Sequence, residues 1–242
     1  MKQAEFYIKN YEQGSYKGVN YKDMFNKVCL HIIPMVNPDG VTISQFGTEK
    51  INNEDTKDKL YEYYQRDLKK GFVACDYKEY LSIWKSNSIG TDINKNFDHA
   101  WDSYEGPVVP SRLNYKGSAA ESEPETRALV NTVKHYNIVG SIAYHATGSI
   151  IYWDYGQTGD LRTKCYDFVK AVKEINNYTV YFAKDREMTP AGYSDWCVVN
   201  NGIPAITCEV GTGKAPVPLS EFNTIWKDNK MVVANVCYLY YK

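Results

Sequence analysis

Apolar positions in this chain gather in short runs, and three of these read as buried strands. Residues 28–33 (Val-Cys-Leu-His-Ile-Ile) form a continuous apolar run closed by Pro34. Residues 138–145 end on His145, and residues 204–210 end on Glu209 and Val210 before Gly211. Helical spacing marks other segments. Residues 2–10 predict a short helix, and Ser122-Glu123-Pro124-Glu125 reads as an N-cap with a capping box, followed by an apolar face of Leu129, Val133 and Tyr136. Residues 160–176 and 220–240 predict two further helices, the second carrying Ile225, Val232, Val236 and Leu239 on one face. Between them, Asn37-Pro38-Asp39-Gly40 has the residues of a tight turn. Residues 57–70 are charged and Tyr-rich with weak helical periodicity, as expected of a surface insertion.

A helix running into the strand that ends at His145 is the kind of unit that builds mixed or parallel α/β sheets. Two strands deliver an imidazole and a carboxylate at their carboxyl ends, where open α/β sheets gather ligands. That pairing suits a metal ligand beside a general base.

Composition narrows the functional classes. The chain has 242 residues, 43% of them apolar, enough for one sizeable domain over 1–242. Its formal net charge of -1 provides no field for nucleic acid or anionic lipid. No apolar stretch is long enough to span a bilayer and the first residues lack the apolar core of a secretory signal, so the expectation is a soluble, cytoplasmic chain, with action at the cell wall as the alternative. The six cysteines form no CxxC pair and are expected to be free thiols; Cys29, Cys208 and Cys237 lie in apolar runs and are expected to be buried.

Several segments, taken in register, carry a resemblance: residues 32–41 (Ile-Ile-Pro-Met-Val-Asn-Pro-Asp-Gly-Val), Trp84-Lys85-Ser86-Asn87, residues 90–97 (Gly-Thr-Asp-Ile-Asn-Lys-Asn-Phe), Ser122-Glu123-Pro124-Glu125-Thr126 and Thr207-Cys208-Glu209-Val210-Gly211. Together they resemble the zinc carboxypeptidase family, most closely the bacterial γ-D-glutamyl-meso-diaminopimelate peptidases, from about residue 25 to the C-terminus. The resemblance implies a mixed, mostly parallel twisted sheet with helices on both faces. It implies that His145 is a zinc ligand and Glu209 the general base. Asn94 and Lys95 fall on the pair that grips the substrate's terminal carboxylate, and Lys85 on a cation facing the oxyanion. The partner it implies is a peptide with a free carboxylate, of the cell-wall stem-peptide class. The bland readings are a polar turn for Asn94-Lys95, a solvated lysine for Lys85, and a packed strand with its rim for Tyr152-Trp153-Asp154-Tyr155.

Departures from the family pattern qualify these expectations. Lys95 replaces the usual Arg, exchanging a bidentate fork for a point charge. Val198 stands where many members carry a mobile Tyr. The family's other two zinc ligands come from a His-x-x-Glu motif that this sequence lacks. The remaining histidines do not replace it: His31 is read as a core or edge residue, His99 as a loop residue and His135 as a surface helix residue. Catalytic zinc takes three protein ligands, so the chain is expected to be short of metal ligands, to be an N-terminally shortened domain and to lack a strand of the sheet. An unpaired strand edge would lead to rearrangement, self-association or instability. Metallopeptidase activity, a zinc-free peptide-binding relative and an amidase or deacylase on the same scaffold are the readings that remain.

Overall fold

The computed structural model describes residues 1–185 and 189–242. In chain order its elements are α1 (Lys2–Lys9), β1 (Ser15–Tyr16), β2 (Val19–Asn20), α2 (Tyr21–Lys27), α3 (Pro38–Phe46), α4 (Glu54–Lys69), α5 (Tyr77–Ser82), α6 (Pro124–His135), β3 (Ser141–His145), β4 (Ile150–Tyr152), α7 (Gly159–Asn176), β5 (Thr179–Tyr181), α8 (Tyr193–Asp195), β6 (Ala205–Glu209), α9 (Phe222–Asn229) and α10 (Val232–Tyr241). The chain forms two compact units. One comprises Met1–Pro34, Val139–Glu187 and Gly202–Lys242; the other comprises Met35–Ile138 and Met188–Asn201.

The first unit holds a sheet of order β3-β6-β4-β5. β3 pairs parallel with β6, β6 antiparallel with β4, and β4 parallel with β5, so the sheet is mixed and mostly parallel, as expected. Ala205, Ile206 and Cys208 of β6 and Ile151 of β4 are almost fully buried, and α7 contributes Phe168, Val169 and Val172 to the core. A second cluster joins Tyr7 of α1, Tyr21 and Met24 of α2, and Val233, Ala234 and Cys237 of α10.

The long helix expected over 220–240 is broken into α9 and α10. Neither Pro nor Gly makes the break. The buried Tyr7 hydroxyl donates to the Lys230 carbonyl (2.8 Å) and accepts from the Ala234 N–H (3.0 Å), taking over backbone groups that a continuous helix would pair internally. Asn229, also buried, donates to the Tyr178 hydroxyl at 2.9 Å.

Residues 28–33 are not a strand. Leu30, Ile32 and Ile33 are 38–45% exposed, and no ladder partner for them occurs among the described residues. An apolar run becomes a strand only when a neighbour takes its backbone groups, and periodicity does not report that neighbour. Cys29 and His31, expected to be buried or in a strand, are accordingly exposed.

The second unit is helical and looped among its described residues. Ile43 of α3, Leu60 and Tyr64 of α4, and Tyr80, Leu81 and Trp84 around α5 form its core, so the stretch read as a surface insertion supplies part of that core. Asn37-Pro38-Asp39-Gly40 opens α3 rather than forming a free turn: Pro38 takes the first helical position and the Asn37 side-chain Oδ1 accepts from the Gly40 N–H at 2.9 Å. At α6 the capping box does not form. Glu123 is the N-cap residue, the Ser122 hydroxyl donates to its carboxylate at 2.7 Å, and Tyr136 closes the helix with 48% of its surface exposed.

Candidate active site

Parallel pairing of β3 with β6 sets His145 directly opposite Glu209. Ladder partners project to the same sheet face on strands about 4.8 Å apart, so the imidazole and the carboxylate start as neighbours. Both are half-buried. The loops that follow are cross-linked: Val210 N–H donates to the His145 carbonyl (2.8 Å), Gly148 N–H to the Gly211 carbonyl (2.8 Å) and the Thr147 hydroxyl to the Gly213 carbonyl (2.7 Å). Glu221 braces the far side, accepting from Thr212 N–H at 2.8 Å. Gly211 has φ +77°, and a Cβ there would press on Val217 at 3.0 Å. A larger residue is therefore excluded on conformational and steric grounds. No sequence pattern pointed to Glu221.

In the second unit, Lys85, Asn94 and Lys95 lie on one hydrogen-bonded scaffold. Asp92 is its centre and was missed in the sequence. Its Oδ2 meets Lys85 Nζ at 3.0 Å and accepts Asn114 N–H at 3.0 Å, while Oδ1 accepts Asn94 N–H at 3.1 Å. Lys85 is thus exposed at its ammonium end while being held by a buried carboxylate. Asn87 closes the Trp84-to-Asn87 turn, accepting Thr91 N–H (2.9 Å) and donating to the buried Glu123 (2.6 Å). Asn37 Nδ2 donates to the Ser86 carbonyl at 3.0 Å, and a Cβ on Gly40 would collide with that same carbonyl. These contacts explain the residue types of three motifs at once.

The Asn94 side-chain Oδ1 accepts Tyr193 N–H at the start of α8 (3.0 Å). Lys95 is 7% exposed; its ammonium lies 3.5 Å from the Pro190 carbonyl and 4.9 Å from the centre of the Tyr104 ring. Asp195, 5% exposed, accepts Gly192 N–H at 3.2 Å. Burial raises its carboxyl above the ordinary range, and the Gly192 N–H, His99 and Lys95 oppose that rise. His99 pairs with Asn200 (2.8 Å), His135 is exposed on α6, and Val198 is fully buried. Tyr152-Trp153-Asp154-Tyr155 is packed structure: Trp153 is 1% exposed and Asp154 is clamped by Arg162.

The model of the zinc carboxypeptidase family matches residues 2–232, nearly the whole chain and further toward the N-terminus than the motifs reach. The chain belongs to the zinc carboxypeptidase family. Gamma-D-glutamyl-L-diamino acid endopeptidase 1 of Lysinibacillus sphaericus is 29% identical over 219 residues, covering 89% of this chain and 50% of that protein. The uncharacterized protein YqgT of Bacillus subtilis is 27% identical over 206 residues, covering 84% and 50%. The chain thus spans about half the length of these curated relatives. Bovine thrombin-activatable fibrinolysis inhibitor, in complex with tick carboxypeptidase inhibitor, shares the fold, with TM-score 0.52, 22% identity, and coverage of 62% of this chain and 56% of that one.

Membership in this family implies zinc, and the donor set tests that. Among the described residues no group of three His, Cys, Asp or Glu side chains comes together that could hold a metal ion. His145 with Glu209 falls short of the three protein ligands of a catalytic zinc site, and using Glu209 as a ligand would cost the base. The described residues alone do not fit a zinc centre.

Proposed function

We propose that this chain is a hydrolase domain of the carboxypeptidase type, acting on peptide bonds near a free carboxylate, with peptidoglycan stem peptides as the substrate class. The observation that carries the reading is the ladder pairing of His145 with Glu209 at the strand ends, within a family match across the chain. The substrate class rests on the name of the Lysinibacillus relative.

Each residue has a role in this reading. Glu209 takes a proton from the attacking water and returns it to the leaving amine. Lys85, kept in place by Asp92, meets the negative charge that develops on the former carbonyl oxygen. Asn94 and Lys95 recognise the substrate carboxylate, Lys95 as a point charge. His145 stands beside Glu209 and would be the metal ligand of the pair, but the described donors do not complete a metal centre.

A second reading, a zinc-free peptide-binding relative, is favoured by that incomplete donor set. The deciding experiment combines elemental analysis for zinc, hydrolysis of a γ-D-glutamyl-diaminopimelate tripeptide, and calorimetric binding of the same peptide. The first reading expects turnover that Glu209→Gln lowers by about 10²–10⁴-fold with binding retained, and bound zinc lost in His145→Ala would show that donors beyond the described residues complete a centre. Near-normal turnover in Glu209→Gln would sink it. Peptide binding without zinc or turnover would establish the second reading, and absence of binding would eliminate both.

A further inference from the structure

The helix α4, read from sequence only as a charged insertion, borders a cavity of about 500 Å³ in the second unit, opposite the segment 106–114. Its lining includes Arg66, Asp67, Lys70 and Arg112 among apolar side chains such as Phe72 and Val108. The volume is that of an ordinary small-ligand site.

The charges are unevenly satisfied. Asp67 is buried and fully engaged: its Oδ1 accepts from Arg66 Nε at 3.0 Å and Nη2 at 2.9 Å, and its Oδ2 accepts from the Tyr80 hydroxyl at 2.7 Å. That carboxylate is bound by Arg66 and Tyr80, and it also attracts Arg112. Arg112 is half-buried, and its hydrogen bond to the Ile83 carbonyl is long, at 3.4 Å. Desolvation lowers its pKa, with Tyr80, Asp67 and Cys75 opposing the shift. Lys70 lies 5.9 Å from the centre of the Phe72 ring and is exposed. The cavity therefore presents two cations in excess of its carboxylate. Phe72 and Val108, 70% and 89% exposed, are large apolar groups left in water at its rim.

We propose that this cavity is an accessory binding site for a small organic anion, a carboxylate attached to an apolar or aromatic body. Arg112 offers the planar donor fork that carboxylates match, Lys70 adds a second charge, and Phe72 and Val108 cover the apolar part. Arg112, which lines the cavity, is tied through its backbone to one of the proposed catalytic residues. The Arg112 carbonyl accepts the N–H groups of both Lys85 and Ser86 at 3.1 Å, so an occupant that fixes Arg112 also fixes the turn carrying Lys85.

The test is titration calorimetry of the full chain with 4-phenylbutyrate, compared with acetate and with 4-phenylbutanol. Saturable binding in the millimolar range or tighter is expected for 4-phenylbutyrate, with both comparison compounds weaker by about tenfold or more. Arg112→Met should abolish the preference for the acid over the alcohol, and Phe72→Ser should weaken binding of 4-phenylbutyrate, whereas Asn94→Asp, which keeps the acceptor for Tyr193 N–H but repels a carboxylate at the proposed substrate grip, should leave it unchanged. Should Arg112→Met fail to fold, Lys70→Glu and Phe72→Ser, both at exposed positions, carry the test. Binding undiminished in these exposed variants, lost in Asn94→Asp, or equal for acid and alcohol would overturn the proposal.

Discussion

Asp154 is a single buried carboxylate whose partners, Arg162 above all, override its burial, and it gives a testable pH dependence. Burial by itself would raise its carboxyl, but the Arg162 guanidinium and the Gly156 and Ala183 backbone groups outweigh burial and hold it below the usual carboxylate range. Since the folded value lies below the unfolded one, this pair stabilises above the unfolded pKa, near 3.9, and the contribution is lost as pH falls through the folded value. Arg162→Met leaves Asp154 buried without its partner, and because Arg162 is partly exposed the cost at neutral pH is set at about 2 kcal/mol. Urea unfolding at pH 7 and pH 3 should show that difference shrinking in acid. A constant difference would mean the residue acts through packing alone. Thiols behave differently: burial pushes Cys165 up to about 11, and Cys197, Cys208 and Cys237 up to about 12. Burial therefore keeps these four protonated at neutral pH, and all six cysteines are free, as the lack of paired spacing implied. His145 and Glu209 were legible because each ends an apolar run, whereas Asp92, Asn87, Glu123 and Glu221 look like ordinary polar residues until distant segments meet.

At the scale of elements, helix existence was legible and helix boundaries were less so. α1, α6 and α7 lie where periodicity placed them, because each buries one apolar stripe. The α9–α10 break was hidden because its cause, the Tyr7 hydroxyl, comes from the other end of the chain. Tyr7→Phe removes that cause while keeping the ring, leaving the buried Ala234 N–H and Lys230 carbonyl short of a partner. A loss of about 1–3 kcal/mol is expected in equilibrium unfolding, and a neutral outcome would show that the break is set by Asn229 instead. Residues 28–33 show the opposite limit. Their composition suits a strand, but strand formation is a property of a pair, and only one member of the pair was available to read.

For the molecule as a whole, the fold class and the family were legible because motifs along the chain kept their order, while the metal was not: the described residues supply too few donors. The sheet adds a consequence for association. β3 is hydrogen-bonded on one side only among the described residues. The donation of Ser141 N–H to the Pro204 carbonyl fixes which backbone groups face β6, so the N–H groups of Ile142 and Tyr144 point to the other side. Such an edge accepts another strand unless charge or Pro guards it, and Tyr144 provides neither. Sedimentation velocity should reveal concentration-dependent dimers that Tyr144→Lys disperses; a monomer at every concentration would refute this. The pairing of His145 with Glu209 also sets what kinds of sequence change the chemistry survives. Side chains alternate between faces, so one residue inserted or deleted within β3 or β6 would turn one partner to the opposite face while leaving both identities intact. Divergence within these two strands is therefore open to substitution and closed to changes of length, a constraint that comparing homologous chains residue by residue would expose as gapless columns.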